Sequence, residues 1–233
     1  GVRTVTARIQ LQGGASVSEA TTANNARSAS IEVLESRRKI LFVAQAPHPD
    51  LAAIRTAAET NQHQETNVVW LSDDVPADLP EHDVLVLHHI DPLNWPRNWA
   101  DEVQRSPALW VLGHANSTWR DWGMGRFGFK FVALDLVTEA QGHVTKPFDA
   151  FPMAEALTGM VDLWPPLACP TGTYTVSPTL TSALTQQVGP VTTDWPLWAV
   201  RKDDNARTAV TLGEGLWRWR IQDVAQNSGE VVA

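Results

Sequence analysis

Apolar and polar positions follow different rules in different parts of this chain. Between residues 39 and 92 the apolar residues gather in short unbroken runs at 40–44 and 84–88, rich in Val, Leu and Ile and too brief for helices. Such runs predict strands buried on both faces, as in a parallel sheet. Between them Leu51, Ile54, Ala57 and Ala58 recur at helical spacing. They follow Pro49-Asp50, a helix-start signal, and predict a helix over 50–61. The run at 67–71 predicts another strand. The run at 108–112 predicts a fourth, preceded by a helix over about 96–106 that opens at Pro96. Strand, helix, strand, strand is how a parallel α/β sheet begins.

The flanking segments read differently. Val5, Ala7, Ile9 and Leu11 alternate with Thr4, Thr6, Arg8 and Gln10, the period of a half-buried strand. A polar segment at 12–29 leads to a second strand-like stretch at 30–34. Two strands cannot bury a core alone. Residues 1–36 are therefore expected to be a β-hairpin or the remnant of a preceding β-sandwich, with Ser36-Arg37-Arg38 as the junction to a main domain over 37–228. Residues 113–195 are punctuated by Gly and Pro. They predict short strands at 129–135 and 173–176 and short helices at 151–158 and 179–187. So much irregular chain usually covers a site or a partner surface. Residues 197–200 and 207–212 predict an antiparallel pair around Lys202-Asp203-Asp204-Asn205. Gly213-Glu214-Gly215 then leads into a helix over 216–224, and 227–233 is expected to fray.

Composition narrows the function classes. The net charge of −8, with no Lys/Arg-rich run, argues against a nucleic-acid partner. No apolar stretch approaches the roughly 20 residues of a membrane span, so direct membrane insertion is not expected. No signal peptide is visible. Residue 1 is a Gly leading straight into strand-like sequence, which reads as an excised piece of a longer protein. The single cysteine, Cys169, excludes an internal disulfide and a cysteine-based zinc site. Eleven tryptophans are read chiefly as packing groups, with a sugar-stacking or partner surface as the sharper alternative.

The candidate chemistry sits at strand ends. Parallel sheets bind ligands outside the carboxyl ends of their strands. His48 and Asp50 follow the first strand, His88, His89 and Asp91 the third, and His114, Asn116 and Ser117 the fourth. Glu214, between two glycines, can present a carboxylate to the same cleft. Imidazole and carboxylate groups that converge there suit a small ligand, a peptide or a divalent ion, although the spacing is not a metal motif. Each residue also has a local role available to it. Asp50 can cap a helix, one of His88 and His89 can be buried, Ser117 and Asn116 can close a turn, and Glu214 can cap the last helix. Arg218 and Arg220 beside Trp217 and Trp219 read as aromatic-stacked and carboxylate-paired.

Several pieces together resemble the glutamine amidotransferase-like domains of large bacterial membrane-anchored proteins. These are EVLESRRKILFVAQAPHPDLAAIR, DVLVLHH, LWVLG, LWPPL, YTVSP and GEGLWRWRI. The resemblance implies a parallel-sheet class I glutamine amidotransferase-like (flavodoxin-like) three-layer α/β domain after an immunoglobulin-like sandwich. It also implies a soluble domain of a membrane-anchored parent, weakly periplasmic, whose partners are other domains of that chain or envelope proteins. The family's chemistry needs a cysteine on a Gly-x-Cys-x-Gly elbow and a later His-x-Glu pair. The elbow position falls on His114 or Ala115, Cys169 lies in a proline-rich context, and no histidine follows His143. The expectation is a pseudoenzyme acting as a binding or assembly module, with no catalytic residues, no metal and no cofactor. The alternatives are a hydrolase or metal-dependent enzyme built on the His/Asp cluster, and a carbohydrate-binding module using Trp119 and Trp122.

Overall fold

The computed structural model describes residues 2–8, 25–32, 37–90, 95–113, 125–146, 148–153, 155–202 and 207–227. The chain divides into two compact units, Gly1–Arg37 and Arg38–Ala233. In the first, β1 (Val2–Arg8) pairs antiparallel with β2 (Ala26–Glu32), in register from Val2 opposite Glu32 to Arg8 opposite Ala26. The side chains of 4–8 and 26–30 are exposed.

The second unit is built on one nine-stranded mixed sheet. From one edge it runs β4 (Gln64–Trp70), β3 (Arg38–Ala44), β5 (Val84–His88), β6 (Ala108–Leu112) and β11 (Arg207–Leu212), all parallel. It continues through β10 (Val191–Lys202), β9 (Leu180–Val188), β7 (Phe129–Val144) and β8 (Leu167–Val176), all antiparallel. The described helices are α1 (Pro49–Glu59), α2 (Ala100–Arg105), α3 (Glu155–Met160) and α4 (Leu216–Asn227).

Alternation along the parallel strands sends side chains into two cores. Leu41, Val43, Leu85, Leu87, Trp110 and Leu112 face one side, where Trp99 before α2, Val103 on it and the aromatic group Phe127, Phe129, Phe131 and Tyr174 cover them. Phe42, Ala44, Val86 and Val111 face the other, against Leu51 of α1 and Leu216 and Trp219 of α4. Four tryptophans, Trp99, Trp110, Trp164 and Trp219, are fully buried. Truncating any one of them removes a group worth about 3–5 kcal/mol.

Two expectations need correction here. The chain does not form the flavodoxin-like, three-layer class I amidotransferase domain. Its sheet is half antiparallel and its strands far outweigh its helices. β4 reaches β5, and β8, β9 and β10 follow one another, with no helix between them. The second correction is local. The expected helix over 179–187 is strand β9. Leu180, Ala183 and Leu184 have helical spacing, but they arise from register shifts against β10 between Pro196 and Ala199. A bulge lets the consecutive residues Ala183 and Leu184 both be buried, and so breaks the strict period of two. The expected strand over 129–135 grows to 129–144, and the strand at 173–176 is the end of β8. Its partners are the Thr- and Val-rich strands beside it, which favour a pleated surface.

Candidate functional site

Three strand or helix ends on the α1/α4 side of the sheet bring a cluster of polar groups together. His48 ends the connection from β3 in extended conformation and caps α1, its Nδ1 accepting from the Asp50 backbone N–H at 3.1 Å. That bond fixes the tautomer. With Nδ1 an acceptor, the neutral ring carries its proton on Nε2. His88 closes β5 and is buried. His89 follows at φ +49, the one non-glycine positive φ among the described residues. Histidine tolerates this region better than most residues, at about 1 kcal/mol. The left-handed turn has a visible consequence. Neighbours on a strand normally point to opposite faces, yet the His88 and His89 rings stack at 3.9 Å and 21°. The His48 ring lies 4.9 and 4.8 Å from the two of them.

Glu214 reaches this group from the opposite side. Gly213 and Gly215 on either side of it adopt φ +98 and +115, conformations that side chains rarely take. The residue between them is pinned by paired backbone bonds with Ala168, at 2.8 and 2.9 Å. Its carboxylate spans two rings, with Oε2 3.9 Å from His48 Nε2 and Oε1 3.8 Å from His89 Nε2. Gly113, at the end of β6, makes room for this contact. A Cβ there would lie 2.4 Å from His89 Nε2 and 2.5 Å from Glu214 Oε1.

Asp50 does not belong to the cleft. It is fully buried. Its carboxylate accepts from the backbone N–H of Gly215 at 2.8 Å and of Trp217 at 2.9 Å. It therefore caps α4 from the start of α1 and ties the two helices together, which complements the partial positive charge of a helix N-terminus. His88 is likewise removed from acid–base work. Burial, with the neighbouring His89 and His48 imidazoles, pushes its pKa down to about 2, so it stays neutral. Cys169 is a buttress. Burial pushes its thiol up to about 12, and its Sγ donates to the Leu212 carbonyl at 3.7 Å. It also fills the space in which a Cβ on Gly213 would sit, 2.6 Å away. Arg218 donates to the Pro166 carbonyl and lies 3.7 Å from Glu139, while Arg220 lies 3.5 Å from Asp223.

Of the sequence-predicted site residues, His48, His88, His89 and Glu214 meet in one cleft, and Asp50 lies beneath it. Asp91, His114, Asn116, Ser117, Trp119 and Trp122 lie outside the described residues. Sequence reasoning gave neither Gly113 nor Cys169 a role in the site, because the close contacts each relieves appear only once the strands are assembled. Among the described residues no three His, Cys, Asp or Glu side chains come together as a metal-binding group. No helix among them is long and apolar enough to cross a membrane.

No family model matches this chain, and no curated protein matches it in sequence. Solved structures do match. A cytoplasmic protein from Salmonella typhimurium LT2 superposes with a TM-score of 0.55 over 81% of this chain and 94% of its own, at 10% identity. The carbohydrate deacetylase Agd3 gives 0.48 over 75% of this chain and 29% of its own, at 9% identity. A beta-galactosidase from Bacillus circulans sp. alkalophilus gives 0.44 over 84% and 31%, at 11% identity. At such identity the first of these is a likeness of fold alone. The glutamine amidotransferase resemblance read from short sequence stretches is overturned. The half-antiparallel mixed sheet described above is not that family's three-layer domain.

Proposed function

We propose that the chain is a binding module that holds a hydroxyl-rich small molecule or glycan end at the His48–His89–Glu214 cleft without turning it over. One observation carries this reading. The Glu214 carboxylate stands between the Nε2 atoms of His48 and His89, at 3.9 and 3.8 Å, so that three polar groups from three turns converge on one cleft. A hydroxyl both donates and accepts. Placed there, it donates to the carboxylate and accepts from the Nε2–H that the His48 tautomer presents.

The surrounding groups support recognition over turnover. Acid–base catalysis needs a group within reach of the reacting atom that can exchange a proton near working pH. Both oxygens of Asp50 are held by backbone N–H groups at the start of α4. His88 is neutral down to about pH 2. The Cys169 thiol is buried and pushed up to about 12, which withholds a thiolate nucleophile.

Calorimetric titration with glucose, galactose, N-acetylglucosamine and inositol tests this reading. At least one is expected to bind, and Glu214→Gln is expected to weaken that binding roughly tenfold, about 1.4 kcal/mol. Gly113→Ala, which fills the contact between His89 and Glu214, is expected to abolish it. Failure of all four to bind contradicts the reading. So does hydrolysis of nitrophenyl glycosides or esters that is lost in His48→Gln, which would make the cleft an active site.

A further inference from the structure

Trp217 is the one exposed tryptophan among the described residues, with 39% of its surface open. Its side chain makes no ring contact and no hydrogen bond among them. Burying an indole is one of the larger single gains open to a fold, and here that gain is forgone. The turn of α4 explains how. Leu216 and Trp219 point into the core, and Arg218 reaches Pro166 and Glu139, which leaves position 217 on the outer side.

The backbone places this residue beside the cleft. The Trp217 N–H donates to Asp50 Oδ1 at 2.9 Å, and the other oxygen of that carboxylate lies 4.0 Å from His48 Nδ1. The far side of the same imidazole faces Glu214 at 3.9 Å. Helical side chains lean toward the helix N-terminus, which for Trp217 is the turn that carries Glu214. His48 and Glu214 keep 27% and 18% of their side-chain surface open to solvent. An accessible imidazole, an accessible carboxylate and an exposed indole thus sit on neighbouring turns. A pyranose ring has two kinds of surface that match them. Its rim carries hydroxyls, which both donate and accept. Its faces carry C–H bonds, whose slightly positive hydrogens suit the negative face of an aromatic ring. An open-chain polyol has the hydroxyls but no fixed C–H face.

From this placement we infer that Trp217 is a stacking platform at the edge of the cleft, and that the cleft holds a pyranose ring in preference to an open-chain polyol. The ring lays one C–H face on the indole while a hydroxyl at its rim reaches Glu214 and His48. This inference rests on the reading of the cleft as a site for hydroxyl-rich molecules.

A ¹H–¹⁵N spectrum of the intact chain, titrated separately with glucose, galactose, N-acetylglucosamine and sorbitol, tests it. The Trp217 indole signal is assigned by its loss in Trp217→Phe. At least one pyranose is expected to move that signal saturably, and sorbitol to leave it in place. In calorimetry Trp217→Ala is expected to weaken the same pyranose roughly tenfold. Trp217→Phe keeps an aromatic face and is expected to weaken it no more than about threefold. Both variants change an exposed side chain and are expected to stay folded by circular dichroism. If no pyranose binds, the reading of the cleft fails and this proposal falls with it. If a pyranose binds and Glu214→Gln weakens it while Trp217→Ala does not, the cleft reading stands and this proposal is overturned. It is also overturned if the Trp217 signal moves with protein concentration and not with sugar. The exposed stripe Trp217, Ile221 and Val224 would then be a contact between copies of the chain.

Discussion

His88 shows how far one residue's chemistry can be set by its neighbours. Its ring is buried beneath His48 and stacked on His89, and its pKa falls from the ordinary 6.5 to about 2. The unfolded chain therefore takes up a proton at this position as the pH drops below 6.5, and the folded chain does not. Stability is full above that value and declines as the pH falls toward 2, by about 1.4 kcal/mol per unit. Urea unfolding at pH 7 and pH 5 is expected to differ by about 2 kcal/mol more in the wild type than in His88→Phe, whose ring does not titrate. An equal pH dependence in the two would contradict the burial account. Cys169 makes the opposite case. Burial raises its pKa to about 12, so the native thiol should resist a thiol reagent at pH 8 and react once urea exposes it. From sequence alone His88 was legible as a candidate but not as an outcome, and Cys169 was given no role. Residue type and position gave the histidines at the strand end. The left-handed turn that stacks them depends on Gly113 and Glu214 arriving from elsewhere in the chain.

At the scale of elements, the join between α1 and α4 rests on Asp50. It was legible as a helix-start residue because it follows Pro49. The helix it actually caps is α4, 165 positions away in sequence for the Gly215 bond, while His48 caps its own helix. Local rules name the residue type at a helix start but not which helix a buried carboxylate will serve. Asp50→Asn removes the charge from two backbone bonds and is expected to cost about 1.5–3 kcal/mol. Hydrogen exchange should then show the first turn of α4 opening before the rest. If global stability and α4 protection both hold, Asp50 is not the clamp described. Parallel strands β3, β5 and β6 were legible because their apolar runs are short, unbroken and rich in Val, Leu and Ile. β9 was not, because a bulge gave a strand the spacing of a helix.

For the molecule as a whole, the sheet explains why the site lies where it does. Five parallel strands bring their carboxyl ends together, and β3, β5 and β6 lead into His48, His88 and Gly113. β11 then delivers Glu214 by the turn that follows it. That convergence was readable from strand order alone. Of the antiparallel half, the β10–β11 pair and parts of β7 and β8 were readable, while β9 and the rest were not, since their Gly- and Pro-punctuated sequence looks like loop until the partner strands are in place. In the proposed reading the carboxylate between two imidazoles makes the cleft a recognition site, and the imidazole nitrogens report on it directly. Long-range ¹H–¹⁵N spectra of the histidine rings, recorded with and without the sugar that binds tightest, test that claim. The account predicts His48 with its proton on Nε2, His88 neutral at pH 5, and ligand-dependent shifts at the Nε2 atoms of His48 and His89 that vanish in Glu214→Gln. A His48 ring protonated on Nδ1, or sugar binding that leaves both Nε2 signals unmoved, would contradict it.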